Sequence, residues 1–184
     1  VNDGYEKALP QLRKRVAEGC SIVVFPEGTR SVDGTLGRFH KGAFFLSEEL
    51  KLDIVPMIIH GNHYSMSKND SLILKNGHMH RVILDRIPYS DRSFGDTYQE
   101  RTKSISKMFK KRFAEARKSF ETPKYFRDQL LFNYVLKGPI LEWYTRIKTR
   151  LENHYSTYEQ LLPRKGTIVD IGCGTGGQTR VLAE

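Results

Sequence analysis

The segment from Ser21 to Ser31 constrains the fold of this chain more than any other. An apolar, largely β-branched run, Ser21–Phe25, stops at Pro26. Proline donates no hydrogen bond to a sheet, so it marks the end of a strand. A carboxylate, a glycine, a hydroxyl and a guanidinium follow directly, in Glu27–Arg30. We expect a buried strand whose carboxyl end presents a polar turn, which is where α/β sheets place their sites.

The residue types of this turn allow two interpretations. Glycine at position 28 permits a tight or left-handed turn, and arginine suits bidentate recognition of phosphate or carboxylate. The turn is then an anion site. The alternative is an ordinary end of a strand with a Glu27–Arg30 pair on the surface. Residue types alone do not separate the two.

Three ordered segments carry a resemblance to a known family. Residues 25–31 (Phe-Pro-Glu-Gly-Thr-Arg-Ser) resemble the third conserved block of the glycerolipid, lysophosphatidate-type acyltransferases. Residues 37–44 resemble the Phe-x-Lys-Gly-Ala segment that follows it, and residues 54–58 resemble the fourth block, an apolar strand interrupted by proline. The resemblance implies an α/β fold with a mixed, partly parallel sheet flanked by helices, truncated at its amino terminus and followed by a helical connector.

The same resemblance implies a site for the phosphate of an acyl acceptor, with Arg30 as the main anion ligand. Lys41 would be a second cation near the start of a helix, although an ordinary surface lysine explains it equally well. Pro26 and Pro56 would support the sheet and the acyl side of the site. The residues assigned to the phosphate site are Glu27, Gly28, Thr29, Arg30 and Lys41.

The resemblance supplies no catalytic residue within this chain. The family's base is a histidine in a His-x-x-x-x-Asp motif upstream of the third block, whereas no histidine precedes His40 here. We therefore expect a fragment that is itself inactive. His80 and Asp85 match the motif literally, but they stand in a predicted strand after the fourth block. Residues five apart in a strand face opposite sides, about 17 Å apart, so they cannot share a proton. His60 and His63 follow the fourth-block strand and could edge a site, but we expect them to be satisfied or solvent-facing.

Composition narrows the partners only coarsely. The chain has 184 residues, is 39% hydrophobic and 28% charged, and carries a net charge of +9. These proportions are typical of globular domains, and no apolar stretch of 18 residues is present for a membrane span. The charge fits anionic lipid, nucleic acid or phosphorylated substrates. A helix predicted over 97–120 holds eight basic and two acidic residues, which makes either a membrane-surface face or a merely solvated one.

Hydrophobic periodicity predicts the other elements. A strand over 53–59 would pair in parallel with the strand over 21–25 through a right-handed crossover. Asn76-Gly77 predicts a hairpin between two apolar runs. The implied domains are an acyltransferase part over 1–122, a connector over 123–165 and the start of a further domain over 166–184. Further helices are expected over 5–17, 41–50, 125–137 and 139–154.

A glycine-rich string stands near the carboxyl end of the chain. Residues 166–177 combine an apolar run with a Gly-x-Gly-x-Gly loop. They resemble the first motif of class I S-adenosylmethionine-dependent methyltransferases. The resemblance implies a bacterial multidomain protein, but so short a piece of that domain is not expected to be active. The implied cofactor-binding residues of the parent protein are Asp170, Gly172, Gly174 and Gly176.

Together these features predict an acyltransferase of phospholipid biosynthesis. It would move a fatty acyl group from acyl-CoA or acyl carrier protein to the hydroxyl of a lysophospholipid or a glycerol phosphate, with no metal and no cofactor for that step. The expected partners are the acyl-donor thioester, the phosphate-bearing acceptor and an anionic membrane surface, at the cytoplasmic inner face, and no specific nucleic acid. The alternative is a non-catalytic basic module that binds anionic membrane or nucleic acid.

Overall fold

The fold combines helices with one small antiparallel sheet. The computed structural model describes residues 3–32, 34–66, 78–135, 137–151 and 154–162, with the single residues Thr167, Val169 and Ile171. The helices are α1 (Asp3–Ala17), α2 (Gly42–Glu49), α3 (Asn62–Ser65), α4 (Tyr98–Phe120), α5 (Pro123–Val135), α6 (Pro139–Leu151) and α7 (Tyr155–Leu161). The strands are β1 (Met57–His60) and β2 (His80–Ile83). None of the helices described is long and apolar enough to cross a bilayer.

The sheet buries one face and exposes the other. Ile58 and His60 of β1 are buried, whereas Met57 and Ile59 are exposed, as expected when successive side chains alternate across a strand. In the antiparallel register, His60 lies opposite His80 of β2. The buried face therefore carries two histidines towards the helices.

The main core lies between α2, the loop before it and α4. Phe39, Phe44, Ile87 and Ile105 are its buried centre. Phe39 also meets the ring of Phe109 in α4 edge-on, with ring centroids 5.4 Å apart. The core thus fixes the loop that leads into α2.

A buried arginine ties α4 to the preceding loop. The guanidinium of Arg101 donates hydrogen bonds to the carbonyl oxygens of Tyr89 at 2.9 Å, Asp91 at 2.7 Å and Pro88 at 3.2 Å. These acceptors offset the loss of water around the buried charge. Arg101 is one of the eight basic residues of the helix predicted over 97–120, but because it is buried it does not belong to an exposed basic face.

The strand predicted over 21–25 is wrong. These residues have no regular secondary structure, and Val23 and Phe25 are 80% and 71% exposed. A strand is stable only when a neighbour accepts and donates its backbone hydrogen bonds, and no strand in the described ranges pairs with this segment. The predicted parallel pair and its crossover are therefore also wrong. The observed sheet pairs β1 with β2 and is antiparallel.

The predicted helices agree closely with the structure. The predictions over 41–50 and 97–120 correspond to α2 and α4, and the two after Pro123 correspond to α5 and α6. Gly138, with a φ of +105°, separates α5 from α6. The hairpin predicted at Asn76-Gly77 lies outside the described residues, and the domain limits stay predictions. Also outside the described residues are Asp170, Gly172, Gly174 and Gly176.

Candidate functional site

A tight turn, Phe25–Gly28, is the centre of the candidate site. The N–H of Gly28 donates to the carbonyl oxygen of Phe25 at 3.0 Å, which closes a β-turn with Pro26 at its second position. Gly28 has a φ of +70°, in the left-handed region that glycine adopts without strain. The left-handed turn expected at this glycine is confirmed.

Two hydrogen bonds join this turn to residues 37–40. The Oε2 atom of Glu27 accepts from the N–H of Gly37 at 2.9 Å. The carbonyl oxygen of Pro26 accepts from the N–H of His40 at 2.7 Å. The carboxylate of Glu27 thus stabilises the protein's own backbone. Its part in an anion site would be to place this loop, since a carboxylate repels an anion.

Gly28 also lies against the imidazole of His40. A β-carbon added at Gly28 would sit 3.1 Å from Cδ2 and 3.2 Å from Nε2 of that ring. Both distances are tighter than ordinary contacts between side chains. Space as well as backbone conformation therefore favours glycine here.

The bridged loop, residues 25–41, carries three exposed cationic side chains, those of Arg30, Arg38 and Lys41. None of the three forms an ion pair with a residue that the structure describes. Arg38 and Lys41 stand on either side of the core residue Phe39, so their backbone is anchored. The structure brings 26–28 and 37–40 together, but it records no contact between Arg30 and Lys41.

The amino terminus of α2 adds backbone donors to this loop. The carbonyl oxygen of Lys41 accepts from the N–H groups of Phe44 at 3.1 Å and Phe45 at 3.0 Å, which starts the helix. No described side chain caps this end of α2. The first amides of a helix carry partial positive charge and bind anions. Exposed cations and a helix start are groups of the kind that bind phosphate in proteins.

Pro56 lies at the entry to β1 and is buried. Its carbonyl oxygen accepts from the N–H of Leu84 at 2.9 Å, which continues the ladder beyond β1. Pro56 thus supports the sheet, while its place beside an acyl chain stays a prediction.

A second polar cluster, centred on Glu121, was not predicted from the sequence. It adjoins this loop, because the ring of His63 lies against Gly34 and has its centroid 5.4 Å from that of Tyr64 in the cluster. Nε2 of the buried His60 lies 2.9 Å from Oε1 of Glu121. The same oxygen accepts from Nε of Arg117 at 2.7 Å and from the hydroxyl of Tyr64 at 3.3 Å. His60 is therefore bonded through Nε2, but its buried Nδ1 has no hydrogen-bond partner among the described residues, so the expectation of a satisfied histidine is met only in part. No sequence signal marks Glu121, which follows α4 far from His60 along the chain.

The electrostatics of this cluster favour its ion pair. Burial acts to raise the pKa of Glu121, but the hydrogen bonds from His60 and Arg117 and the charge of Arg117 outweigh it and hold the pKa below its usual value. Burial, helped by the charge of Glu121, raises the pKa of Tyr125 to about 12. At neutral pH the cluster therefore holds an ionised Glu121 beside a neutral Tyr125.

His80 and Asp85 do not act together in this structure. The imidazole of His80 stacks on Phe120 with centroids 4.3 Å apart and ring planes 9° apart. Asp85 is exposed beyond the end of β2. The stacked ring of His80 therefore belongs to the packing between β2 and α4.

The connector predicted from residue 123 is in contact with the part of the chain before it. The hydroxyl of Tyr125 in α5 donates to the carbonyl oxygen of His78 at 2.8 Å. Nε2 of His78 lies 2.8 Å from Oδ2 of Asp128. The first turns of α5 are thus attached to the strand region.

Comparison with known proteins agrees with the sequence resemblance. Residues 2–60 match the family model described as Acyltransferase. A chloroplastic 1-acyl-sn-glycerol-3-phosphate acyltransferase of Brassica napus is 36% identical over 85 residues, which is 46% of this chain and 24% of that protein. A chloroplastic enzyme of the same name from Arabidopsis thaliana is 37% identical over 78 residues, 42% of this chain and 22% of that protein.

A human relative, 1-acyl-sn-glycerol-3-phosphate acyltransferase beta, is 30% identical over 83 residues, 45% of this chain and 30% of that protein. No solved structure matches. The chain spans about a quarter of the length of the first plant and algal relatives. The candidate anion loop lies wholly within residues 2–60, the part of the chain that matches the Acyltransferase family model.

Proposed function

We propose that this protein is an acyltransferase of phospholipid synthesis and that its bridged loop binds the phosphate of the acyl acceptor. The observation that carries the proposal is the arrangement of this loop. The loop carries three exposed cations and leads into an uncapped helix start, and Glu27 fixes its turn to the backbone of Gly37. The family match over 2–60, which contains the whole loop, supports it.

In the proposed reaction, the loop positions the acceptor. Arg30 would bind the acceptor phosphate through paired N–H groups, and Lys41 with the first amides of α2 would add positive charge. Anchoring the phosphate holds the acceptor hydroxyl at a fixed distance from the thioester carbonyl of acyl-CoA or acyl carrier protein. The hydroxyl oxygen forms the new ester bond, the carbon–sulfur bond breaks, and the thiol leaves with the proton.

The proposal assigns no general base to this chain. His60 is bonded to Glu121 and the ring of His80 stacks on Phe120. His40 lies against Gly28. The base would be the histidine of a His-x-x-x-x-Asp motif elsewhere in the parent protein, so this chain alone should bind acceptor without turning it over.

Replacing Arg30 tests the phosphate role. Arg30→Ala should weaken the binding of a short-chain lysophosphatidate about tenfold to hundredfold, because a charge-assisted hydrogen bond to phosphate contributes about 1.5–3 kcal/mol. Arg30→Lys should lose less. Titration calorimetry on this chain measures the affinity, and in an active parent protein the KM for the acceptor should rise by a similar factor.

The matched control is Arg92→Ala, which removes another exposed arginine, in the loop before α4. It should leave lysophosphatidate binding unchanged. If Arg30→Ala and Arg92→Ala bind the acceptor equally well, the phosphate role of Arg30 is wrong.

Three further features belong to this proposal. The glycine-rich string after residue 166 would serve an S-adenosylmethionine-dependent methyltransferase fused to the acyltransferase in a bacterial parent protein, while acyl transfer itself would need no cofactor. The acceptor and its products are membrane lipids, so the enzyme would act at an anionic membrane surface. We place it at the cytoplasmic inner face of that membrane.

A second candidate function rests on α4. Five of its lysines are exposed and share one face of the helix, which would suit a basic module that binds anionic membrane or nucleic acid without catalysis. These lysines are Lys103, Lys107, Lys110, Lys111 and Lys118.

A further inference from the structure

The helix α6 turns an apolar stripe to the solvent. The stripe residues recur every three or four positions along the helix, so they share one face from its first turn to its last. Their exposure runs from 38% at Ile147 to 83% at Ile140. The stripe consists of Ile140, Trp143, Tyr144, Ile147 and Leu151.

The buried face of α6 is less apolar than the exposed one. This helix contacts α5, and its buried residues are Thr145 and Thr149. The hydroxyl of Thr145 donates to the carbonyl oxygen of Leu141, and that of Thr149 to the carbonyl oxygen of Thr145, both at 2.8 Å. Because each hydroxyl is satisfied within the helix, the threonine methyl groups are free to pack inward. The more apolar face of α6 is therefore the one exposed to solvent.

Positive charge borders this stripe on both sides. At 100° per residue, Arg150 falls at one edge of the stripe and Lys148 at the other. Glu142, the acidic residue of α6, lies on the opposite side and pairs with Arg146 at 2.7 Å. An apolar face framed by cations is the pattern of a helix that lies flat in a lipid interface.

We propose that α6 docks in the interface of an anionic lipid bilayer, with its stripe among the acyl chains and its bordering cations at the lipid phosphates. Thirteen residues give a helix about 20 Å long. Tryptophan and tyrosine are favoured at the level of the headgroups, where their rings are buried and their polar atoms stay hydrated. This inference rests on the proposed membrane location and names the surface that would make the contact, and because α6 lies outside residues 25–41 it can be tested apart from the phosphate role of the bridged loop.

Charge favours a membrane over a second copy of this chain. In a two-fold dimer through α6, the stripe of one copy would pack against the same stripe of the other. The cationic borders of the two copies would then lie close together and repel each other. An anionic bilayer instead attracts the same borders, and the exposed lysine face of α4 and the net charge of +9 act in the same direction.

Trp143 gives a direct test because it is the single tryptophan of the chain. Titrating the 184-residue chain with vesicles of phosphatidylglycerol and phosphatidylcholine should shift its emission to the blue. Lipids brominated near the top of the acyl chain should quench it more than lipids brominated near the chain end, because an interfacial helix lies about 5–10 Å deep. Raising the salt concentration should weaken the binding, and pure phosphatidylcholine should bind less.

Two variants separate this helix from other surfaces. The double variant Ile147→Gln, Leu151→Gln replaces two apolar stripe residues by glutamine, which is a good helix former. It should weaken vesicle binding by at least about tenfold. The control Ile83→Thr removes an equally apolar, exposed side chain from the sheet and should leave binding unchanged. Circular dichroism checks that each variant keeps its helices.

Three results would overturn the proposal. One is the absence of vesicle binding. Another is vesicle binding without a change in Trp143 emission, or binding that the two stripe substitutions leave unaltered, because another surface would then be the membrane contact. The third is a blue shift without lipid that depends on protein concentration and accompanies a doubling of the mass in sedimentation, which would identify a second copy as the occupant.

Discussion

At position 28, glycine meets a backbone requirement and a steric requirement at once. Gly19 provides the comparison, because it has a similar φ of +85° but nothing within 4 Å of an added β-carbon. Alanine at each position would thus separate the strain of a left-handed backbone from the contact with His40. Comparing the stabilities of the two alanine variants therefore separates the backbone strain from the steric contact.

Gly28→Ala should lower the free energy of unfolding more than Gly19→Ala does. Left-handed backbone costs a non-glycine residue about 1 kcal/mol at either site, and moving the ring of His40 should add about 1 kcal/mol at Gly28 alone. Urea denaturation measures both. In a His40→Ala background the excess should disappear. Equal losses in the two glycine variants would mean that the imidazole moves aside without resistance.

Single residues show where sequence reasoning stops. The left-handed turn at Gly28 was predictable because it follows from the backbone of one residue. The role of Glu27 was not, since its partner is a backbone amide ten positions away, and nothing marks which amide a carboxylate will reach. The burial of Arg101 was equally unpredictable, because its hydrogen-bond partners are also backbone groups of another segment. The carbonyl oxygens that bind it come from a loop whose shape the helical pattern does not record.

At the scale of elements, the helices and the positions of β1 and β2 were largely predictable, whereas the pairing of the strands was not. The apolar periodicity and the Thr97–Glu100 capping box specify α4 within its own sequence, and the helix begins and ends almost where expected. A strand depends on its neighbours. Residues 21–25 have the composition of a strand, yet no described strand pairs with them. Likewise, the helical spacing of Ile140, Tyr144, Ile147 and Leu151 places them on one face of α6, but it does not show whether that face is buried or exposed.

The lysine face of α4 distinguishes the two candidate functions. Under the acyltransferase proposal, duplex DNA should bind only in the non-specific range, with a Kd of about 10⁻⁴–10⁻⁶ M at physiological salt. A nucleic-acid module would bind more tightly. Replacing Lys103, Lys107 and Lys110 by glutamine would then make the salt dependence of its binding shallower, by about 0.9 in the logarithmic slope for each phosphate that a lysine no longer neutralises.

Fluorescence anisotropy with labelled DNA across a salt series makes this measurement. Arg112→Gln is the control, because Arg112 points away from the lysine face and lies 3.3 Å from Glu115. Tight, steeply salt-dependent DNA binding that the lysine substitutions abolish, in a chain with no preference for anionic vesicles, would favour the nucleic-acid module.

At the scale of the whole molecule, the cluster around Glu121 joins elements that are distant in sequence. Its carboxylate binds His60 at the end of β1, Tyr64 in α3 and Arg117 in the last turn of α4. Tyr125 of α5 packs against the ring of His60 with centroids 5.4 Å apart. One carboxylate therefore bonds to the sheet, to α3 and to the end of α4, and α5 packs against the same histidine.

The stability contributed by Glu121 should depend on pH. Its pKa is lower in the folded chain than its ordinary value of 4.5, so the folded state favours the ionised form. The stabilisation is complete above that ordinary value and is lost as the pH falls through the folded pKa. Glu121→Gln should lower the free energy of unfolding by about 2–3 kcal/mol at pH 7, because His60 and Arg117 then lose the negative charge of the carboxylate bonded to them.

Below pH 4.5 the difference in the free energy of unfolding between wild type and Glu121→Gln should become smaller. The reason is that the wild-type carboxyl group also becomes neutral as it is protonated. Urea unfolding at several pH values measures this. The control Glu115→Gln removes an exposed carboxylate from α4 and should change stability little at any pH. A gap that stays constant from pH 7 down to about pH 3 would contradict the role given to Glu121.

The exposed run at residues 21–25 has a consequence for the behaviour of the chain in solution. It is short, β-prone, uncharged and free of proline, and Val23 and Phe25 lie open to the solvent. Such a segment is a template for adding strands from other molecules, the first step of ordered aggregation. Solubility should therefore be limited by this run, and a lysine in place of Val23 would act as a gatekeeper against fibre growth.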